Sequence, residues 1–315
     1  WQVINVFDNN PDGIGELSLV AAMCTCGKVG EHTQVGNCGV PADKWLPWDA
    51  DICKTFYGGT FVILPSTSGS YYLVNDMEYT ANNTTLGSGV KVNIDLAGHT
   101  VTQENTSNRV FIMQGGTLNI TDSSEAKTGM ITCSGDSSAQ GRVLYMRSTS
   151  TSTVNLYDGT LSSTGGSAAG EIIYHTVGTV NMYGGKISQT SNVDSILMTN
   201  DSVMNVAGGE IAGEVQLGSA NAVLNISGSA KVGVSDGTDK EYGIYAPATL
   251  ATAPNIVCTD VEAVDGGKNI VIKDERFVAL SGTGDAGAFD ISENLHNQVA
   301  VKDGVLDFAA RMCTC

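Results

Sequence analysis

A chain of 315 residues is long enough for one to three compact domains or for one continuous solenoid core. With 42 % hydrophobic and 16 % charged residues, 38 glycines and 6 prolines, it is too apolar for disorder and too glycine-rich for a helical protein. Acidic residues outnumber basic ones 33 to 16, and a net charge of −17 argues against nucleic-acid or anionic-membrane partners; no apolar run reaches the ~18 residues a membrane helix needs.

The chain starts in what reads as folded strand, Trp1-Gln2-Val3, so any targeting segment lies upstream or has been removed. Met23-Cys24-Thr25-Cys26 returns as Met312-Cys313-Thr314-Cys315, an offset of 313 − 24 = 289. At that offset Gly15 falls on Gly304, Leu17 on Leu306, Leu19 on Phe308 and Ala21 on Ala310. Residues 1–23 therefore read as the tail of a preceding module and 313–315 as the start of the next, the chain being one module of a tandem array.

Residues 24–58 form a linker with four of the eight cysteines and two of the three tryptophans. Cys24 and Cys26, at i and i+2 on an extended segment, point to one side; loops of five residues bring back His32 and Cys38. Three thiolates and an imidazole make a closed, structural Zn2+ shell with no position left for water. A segment with little core would gain its fold from that metal. Cys53 is a rival fourth ligand, and a disulfide staple is the competing use of the same thiols. Cys313 and Cys315 would supply ligands to the next module's site.

From residue 59 to 274 short strands alternate with Gly, Ser, Thr, Asn and Asp, and no helical periodicity of useful length occurs. One phrase recurs around Asn119, Asn155, Asn181, Asn205 and Asn225, spaced 36, 26, 24 and 20 residues apart, the period of a solenoid. Before each phrase stands an apolar run such as Val143-Leu144-Tyr145-Met146. After it comes a glycine two residues ahead of an apolar side chain, as in Gly185/Ile187. Three strands per period predict an all-β parallel β-helix. Side chains alternate across a strand, so Leu118 and Ile120 fill the interior and the asparagines form an exposed ladder, about 4.8 Å per step. One coil earlier, Asp95 takes the asparagine position. Asn255-Ile256-Val257 and Asn269-Ile270-Val271-Ile272 read as the last strands, with 275–312 as a C-terminal cap that stops edge-to-edge growth. Cys133 and Cys258 read as small interior hydrophobes, and His99 and His175 as corner or ladder residues. His296 has no local partner.

Trp45-x-x-Trp48, Leu64-Pro65, Gly69-Ser70-Tyr71-Tyr72-Leu73, the run Ile94 to Val101 and Gly116-Thr117-Leu118-Asn119-Ile120-Thr121-Asp122 resemble large, multi-module surface proteins of clostridia-like bacteria. The resemblance covers most of 24–312. It implies a pectin-lyase-like right-handed β-helix, Cys-x-Cys-Gly…His…Cys segments between copies, and a secreted, wall-associated or fibrous protein.

The leading functional expectation is a non-enzymatic structural or adhesive module of an extracellular surface or filament protein, its partners neighbouring copies or modules. A carbohydrate-binding module is the alternative, with Tyr145, Tyr157, Tyr174 and Tyr183 as a stacking platform. A polysaccharide lyase or hydrolase needs two opposed carboxylates. Here Asp122, Asp158, Asp194 and Asp201 are scattered at corners, where solvated turn residues are common.

Overall fold

The computed structural model describes residues 2–6, 16–20, 45–59, 61–79, 83–104, 109–134, 142–147, 150–163, 170–189, 194–235, 237, 242–264, 266–273, 278–291 and 297–310. They form a right-handed parallel β-solenoid of about eight turns. Twenty-four strands join into one sheet wound around a single core. No helix among the described residues is long and apolar enough to cross a membrane.

Each turn has three faces. The first holds the apolar runs, among them Thr84–Gly87, Phe111–Gln114, Leu144–Met146 and Glu214–Leu217. The asparagine face follows, with Lys91–Asp95, Thr117–Thr121, Thr153–Leu156 and Val223–Gly228 at its centre. The third face carries the glycine-led strands, such as Met130–Cys133, Thr160–Ser163 and Lys186–Gln189. In two turns the first and asparagine faces are one bent strand, Ile173–Met182 and Ile196–Val206.

Register follows from the buried side chains. Val92, Leu118, Val154, Val180, Met204, Leu224 and Ile256 stack in one interior column, and Ile94, Ile120, Leu156, Met182, Val206, Ile226 and Cys258 in the next. A slip of one residue would turn both columns outward. Each large aliphatic side chain so buried contributes roughly 1.5–3 kcal/mol. Ile131, Leu161, Ile187, Ile211 and Val232 complete the interior from the third face, and Cys133 and Cys258 are buried as expected.

The register also corrects the sequence analysis. Asn119 pairs with Asn93, and Asp95 lies beside Thr121. Both Asn93 and Asp95 point outward, so period-two alternation accepts either; the match of Val92 and Ile94 to Leu118 and Ile120 decides. Asp95 instead accepts hydrogen bonds from the Ala97 and Ser123 amides at the corner, and burial raises its pKa.

Corners are shaped by close approach. Gly209 has φ +79°, and a Cβ there would lie 2.6 Å from the Gly185 carbonyl oxygen one turn below. At the preceding turns a carboxylate does the shaping. Asp122, fully buried, accepts from the amides of Gly98, Ser124 and Gly129 at 2.8, 3.1 and 2.6 Å. It is thus a structural corner residue, not a solvated one.

The sheet reaches beyond the 59–274 boundaries at both ends. Trp45–Trp48 pairs with Gly69–Leu73 as the first strand of the asparagine face, and Phe289–Ile291 pairs with Ile270–Ile272 at the far end. The linker also holds an α-helix, Ala50–Tyr57, which the absence of helical periodicity concealed. Asp49 caps it through the Asp51 and Ile52 amides, and Gly58 ends it in the left-handed conformation. Trp48 lies beneath it, with Tyr57 of the helix and Tyr71 packed edge to face on its ring, closing the core. At the other end the antiparallel hairpin Asn297–Lys302/Val305–Ala310 lies beside Ala279–Gly284 and buries Val299 and Leu306 in the same core. A second antiparallel hairpin, Gln2–Val6/Glu16–Val20, lies beside Trp45–Trp48.

Candidate functional site

The asparagine column is the most regular chemical feature of the surface. Asn225 Nδ2 donates to Asn205 Oδ1, Asn205 to Asn181, Asn181 to Asn155 and Asn155 to Asn119, at 2.6–2.7 Å. Asn119 donates to Asn93, and Asn93 to Ser70 Oγ at 2.7 Å. The amides therefore bond to one another along the axis. Asn155, Asn181, Asn205 and Asn225 are half-buried, and Asn93 and Asn119 are only 5 % and 4 % exposed. The ladder faces outward but is a fastening between coils more than an open binding surface. The chain of amides runs from Ser70 to Asn225, and the next coil puts Val257, without a hydrogen-bonding side chain, at that position.

Cys24, Cys26, His32 and Cys38 lie outside the described residues, as do Cys313, Cys315 and His296. Cys53 is described. It sits in the capping helix, fully buried, where its Sγ accepts from the Ile63 amide at 3.3 Å; desolvation raises its pKa. Among the described residues no group of three or more metal-type side chains gathers. His99 is at a corner, with Nδ1 3.3 Å from Asp76 Oδ1. His175 is neither corner nor outward ladder: it points into the core between Met146 and Met198, and Nε2 is 3.0 Å from the Gly178 carbonyl. Desolvation lowers its pKa to about 4, so it is neutral at pH 7.

The tyrosine row divides into two pairs. Tyr157 and Tyr183 stack at a corner, centroids 5.1 Å apart and 13° from parallel, and Tyr183 is 51 % exposed. Tyr145 and Tyr174 stand on the first face, in register, 5.6 Å apart. Arg109 lies 4.4 Å from the Tyr145 ring centre and Arg142 4.4 Å from that of Tyr174. Tyr145 thus has a guanidinium over its ring, and the Tyr174 ring is tilted 59° to it. The Tyr157–Tyr183 pair is stacked and the Tyr145–Tyr174 pair tilted, and the four rings do not make one flat platform.

Beside these rings is a charged seam that the sequence analysis missed. Backbone pairing places Arg109, Arg142, Glu171 and Asp194 on successive coils, just ahead of the apolar runs. Arg142 binds Glu171 Oε2 through Nε at 2.8 Å and Nη2 at 2.7 Å, both side chains largely buried. Further along, Lys273 Nζ is 2.7 Å from Glu214 Oε1. Between those two ion pairs Asp194 accepts a 2.8 Å hydrogen bond from Tyr245 Oη. Burial, with Glu214 and Glu171 nearby, raises the Asp194 pKa to about 6, against the opposing effects of Tyr245 and Lys273. The seam had no repeating phrase to betray it; the only signal was an Arg or an acid preceding each apolar run.

Chemically, the arrangement can hold coils in register by amide and ion-pair bonds. The seam also sets one perturbed carboxyl among its neighbours. No family model matches the chain, and no curated protein or solved structure proves similar to it.

Proposed function

We propose that this chain is a non-enzymatic structural module of an extracellular surface or filament protein, a stiff spacer that stacks with neighbouring copies of itself. The observation that carries the reading is the unbroken asparagine ladder from Asn93 to Asn225 over one continuous core. Such a body resists bending because each coil is tied to the next by backbone bonds, packed aliphatics and side-chain amides together. Ten strands on the asparagine face, from Trp45–Trp48 to Ala279–Gly284, give a rod roughly 45 Å long at the usual interstrand spacing. A net charge of −17 keeps such rods soluble and apart laterally. Zinc or disulfide chemistry at Cys24, Cys26, His32 and Cys38 would fix the linker between units.

Electron micrographs of the full-length protein test this. Straight filaments with a repeat near one module length are expected; globular, unlinked particles would end the reading. Glycan binding is the second reading, favoured by the half-exposed Tyr183 ring stacked on Tyr157. A glycan array with specific hits that Tyr183→Ala abolishes would promote it. Release of reducing ends or unsaturated products from acidic polysaccharides would instead promote an enzyme.

A further inference from the structure

The two hairpins at the ends of the chain are the same element. In the first, Gln2 pairs with Val20, Val3 with Leu19, Asn5 with Leu17 and Val6 with Glu16. In the second, Gln298 pairs with Ala309, Val299 with Phe308, Val301 with Leu306 and Lys302 with Val305. Superposing these pairs sets Leu17 on Leu306 and Leu19 on Phe308, the match already found at an offset of 289. It also sets Gln2-Val3 on Gln298-Val299, a match that offset cannot show. Nine residues, 7–15, connect the strands of the first hairpin, and two, 303–304, those of the second.

Each hairpin lies against one end of the asparagine face. The second lies beside Ala279–Gly284, its last strand, with Leu306 buried to 1 % exposure. The first lies beside Trp45–Trp48, its first strand. Trp45 stands at the head of the outward column, above Ser70 and Asn93, where a side chain on a bare end would be exposed; it is 1 % exposed. Burial along the column fits a cover at that end: Asn93 and Asn119 are buried, Asn155 to Asn225 only half so.

We propose that this hairpin is a two-sided joint: a single copy seals the last coil of the solenoid before it and the first coil of the solenoid after it. Its partner is a second copy of this chain joined head to tail. The proposal rests on the tandem-rod reading and specifies its contact. Leu306 and Val299 face the hairpin's own solenoid. Val305, 46 % exposed and adjacent in the strand to Leu306, lies on the opposite face, which is left for the next unit.

The test is a polypeptide carrying the full chain with residues 24–315 repeated after residue 312, compared by amide hydrogen exchange with the single chain. Leu306→Asp in the middle hairpin is expected to speed exchange at Ala279–Gly284 of the first unit and at Trp45–Trp48 of the second, each by about tenfold or more. Val305→Arg, which spares the buried face, is expected to speed only Trp45–Trp48 of the second unit and to leave the single chain unchanged. Thr117–Thr121 of both units reports that the solenoids remain folded. Unchanged protection of the second unit's Trp45–Trp48 in both variants overturns the joint while leaving the rod reading intact. Micrographs of the parent tandem showing two freely hinged bodies would remove the rod reading itself.

Discussion

The asparagine face and the first face are built from the same coils, yet they treat outward polar side chains in opposite ways. A carboxamide is donor and acceptor at once, so one residue type can repeat down a column, each Nδ2 finding the Oδ1 of the coil below. Like charges at interstrand distance repel, so a long column of one sign is disfavoured. The first face therefore changes sign along its length, with two arginines followed by Glu171 and Asp194, and binds charge to charge across coils. One face is a periodic zip, the other a set of unique contacts.

Removing half of a unique contact is the harshest way to break that comparison. Arg142→Leu leaves Glu171 buried without its partner and is expected to cost about 3 kcal/mol in denaturant unfolding. The double variant with Glu171→Leu should recover much of this, as the two residues couple directly. In the zip, Asn181→Asp loses the donor to Asn155 and sets two oxygens face to face, while still accepting from Asn205. A loss of about 2 kcal/mol is expected there, and Asn155→Asp should give a similar value because the positions are equivalent.

A smaller effect of opposite sign belongs to Asp194. Its folded pKa is raised to about 6, so its favourable contribution is fully present below the unfolded value of 3.8 and is lost as pH rises through about 6. Asp194→Asn keeps an acceptor for Tyr245 and removes the buried charge. Unfolding at pH 7.5 should show about 1–2 kcal/mol of stabilisation that vanishes near pH 4. His175 works in the other direction. Its folded pKa is depressed to about 4, so stability is lost as pH falls below the unfolded value of 6.5. Parent protein should consequently show a shallow pH profile between 4 and 6.5, and Asp194→Asn a steeper one. Smallest of all is the surface pair Lys186–Glu210 on the third face, with side chains 42 % and 31 % exposed. Lys186→Gln should change stability by less than about 0.5 kcal/mol.

The same contrast explains what could be read from sequence. Leu118, Asn119 and Ile120 recur in kind over the six coils from Asn93 to Asn225, so interior, ladder and three-strand turn were all legible. The Asn93/Asp95 choice was not, since two positions two residues apart share a face and only pairing of the interior columns separates them. Arg142, Glu171 and Asp194 differ from coil to coil, so no phrase links them, and their proximity depends on loops of different length. The helix Ala50–Tyr57 spans too few turns for periodicity to register, although Asp49 and Gly58 mark both of its ends. Leu17 and Leu306 announced a repeat, but the greater number of residues between the strands of the first hairpin hid the matching first strands.

The register of the zip can be measured by cross-linking. Asn119→Cys with Asn155→Cys places two thiols on neighbouring coils, 36 residues apart in sequence and within disulfide reach at a strand spacing of about 4.8 Å. Asn155→Cys with Asn205→Cys spans two coils, about 10 Å, beyond that reach. After mild oxidation and peptide mapping, a bridge in the first pair and none in the second is the expected result. A bridge in the second pair, or reduced thiols in the first, would contradict the stacked ladder on which this account stands.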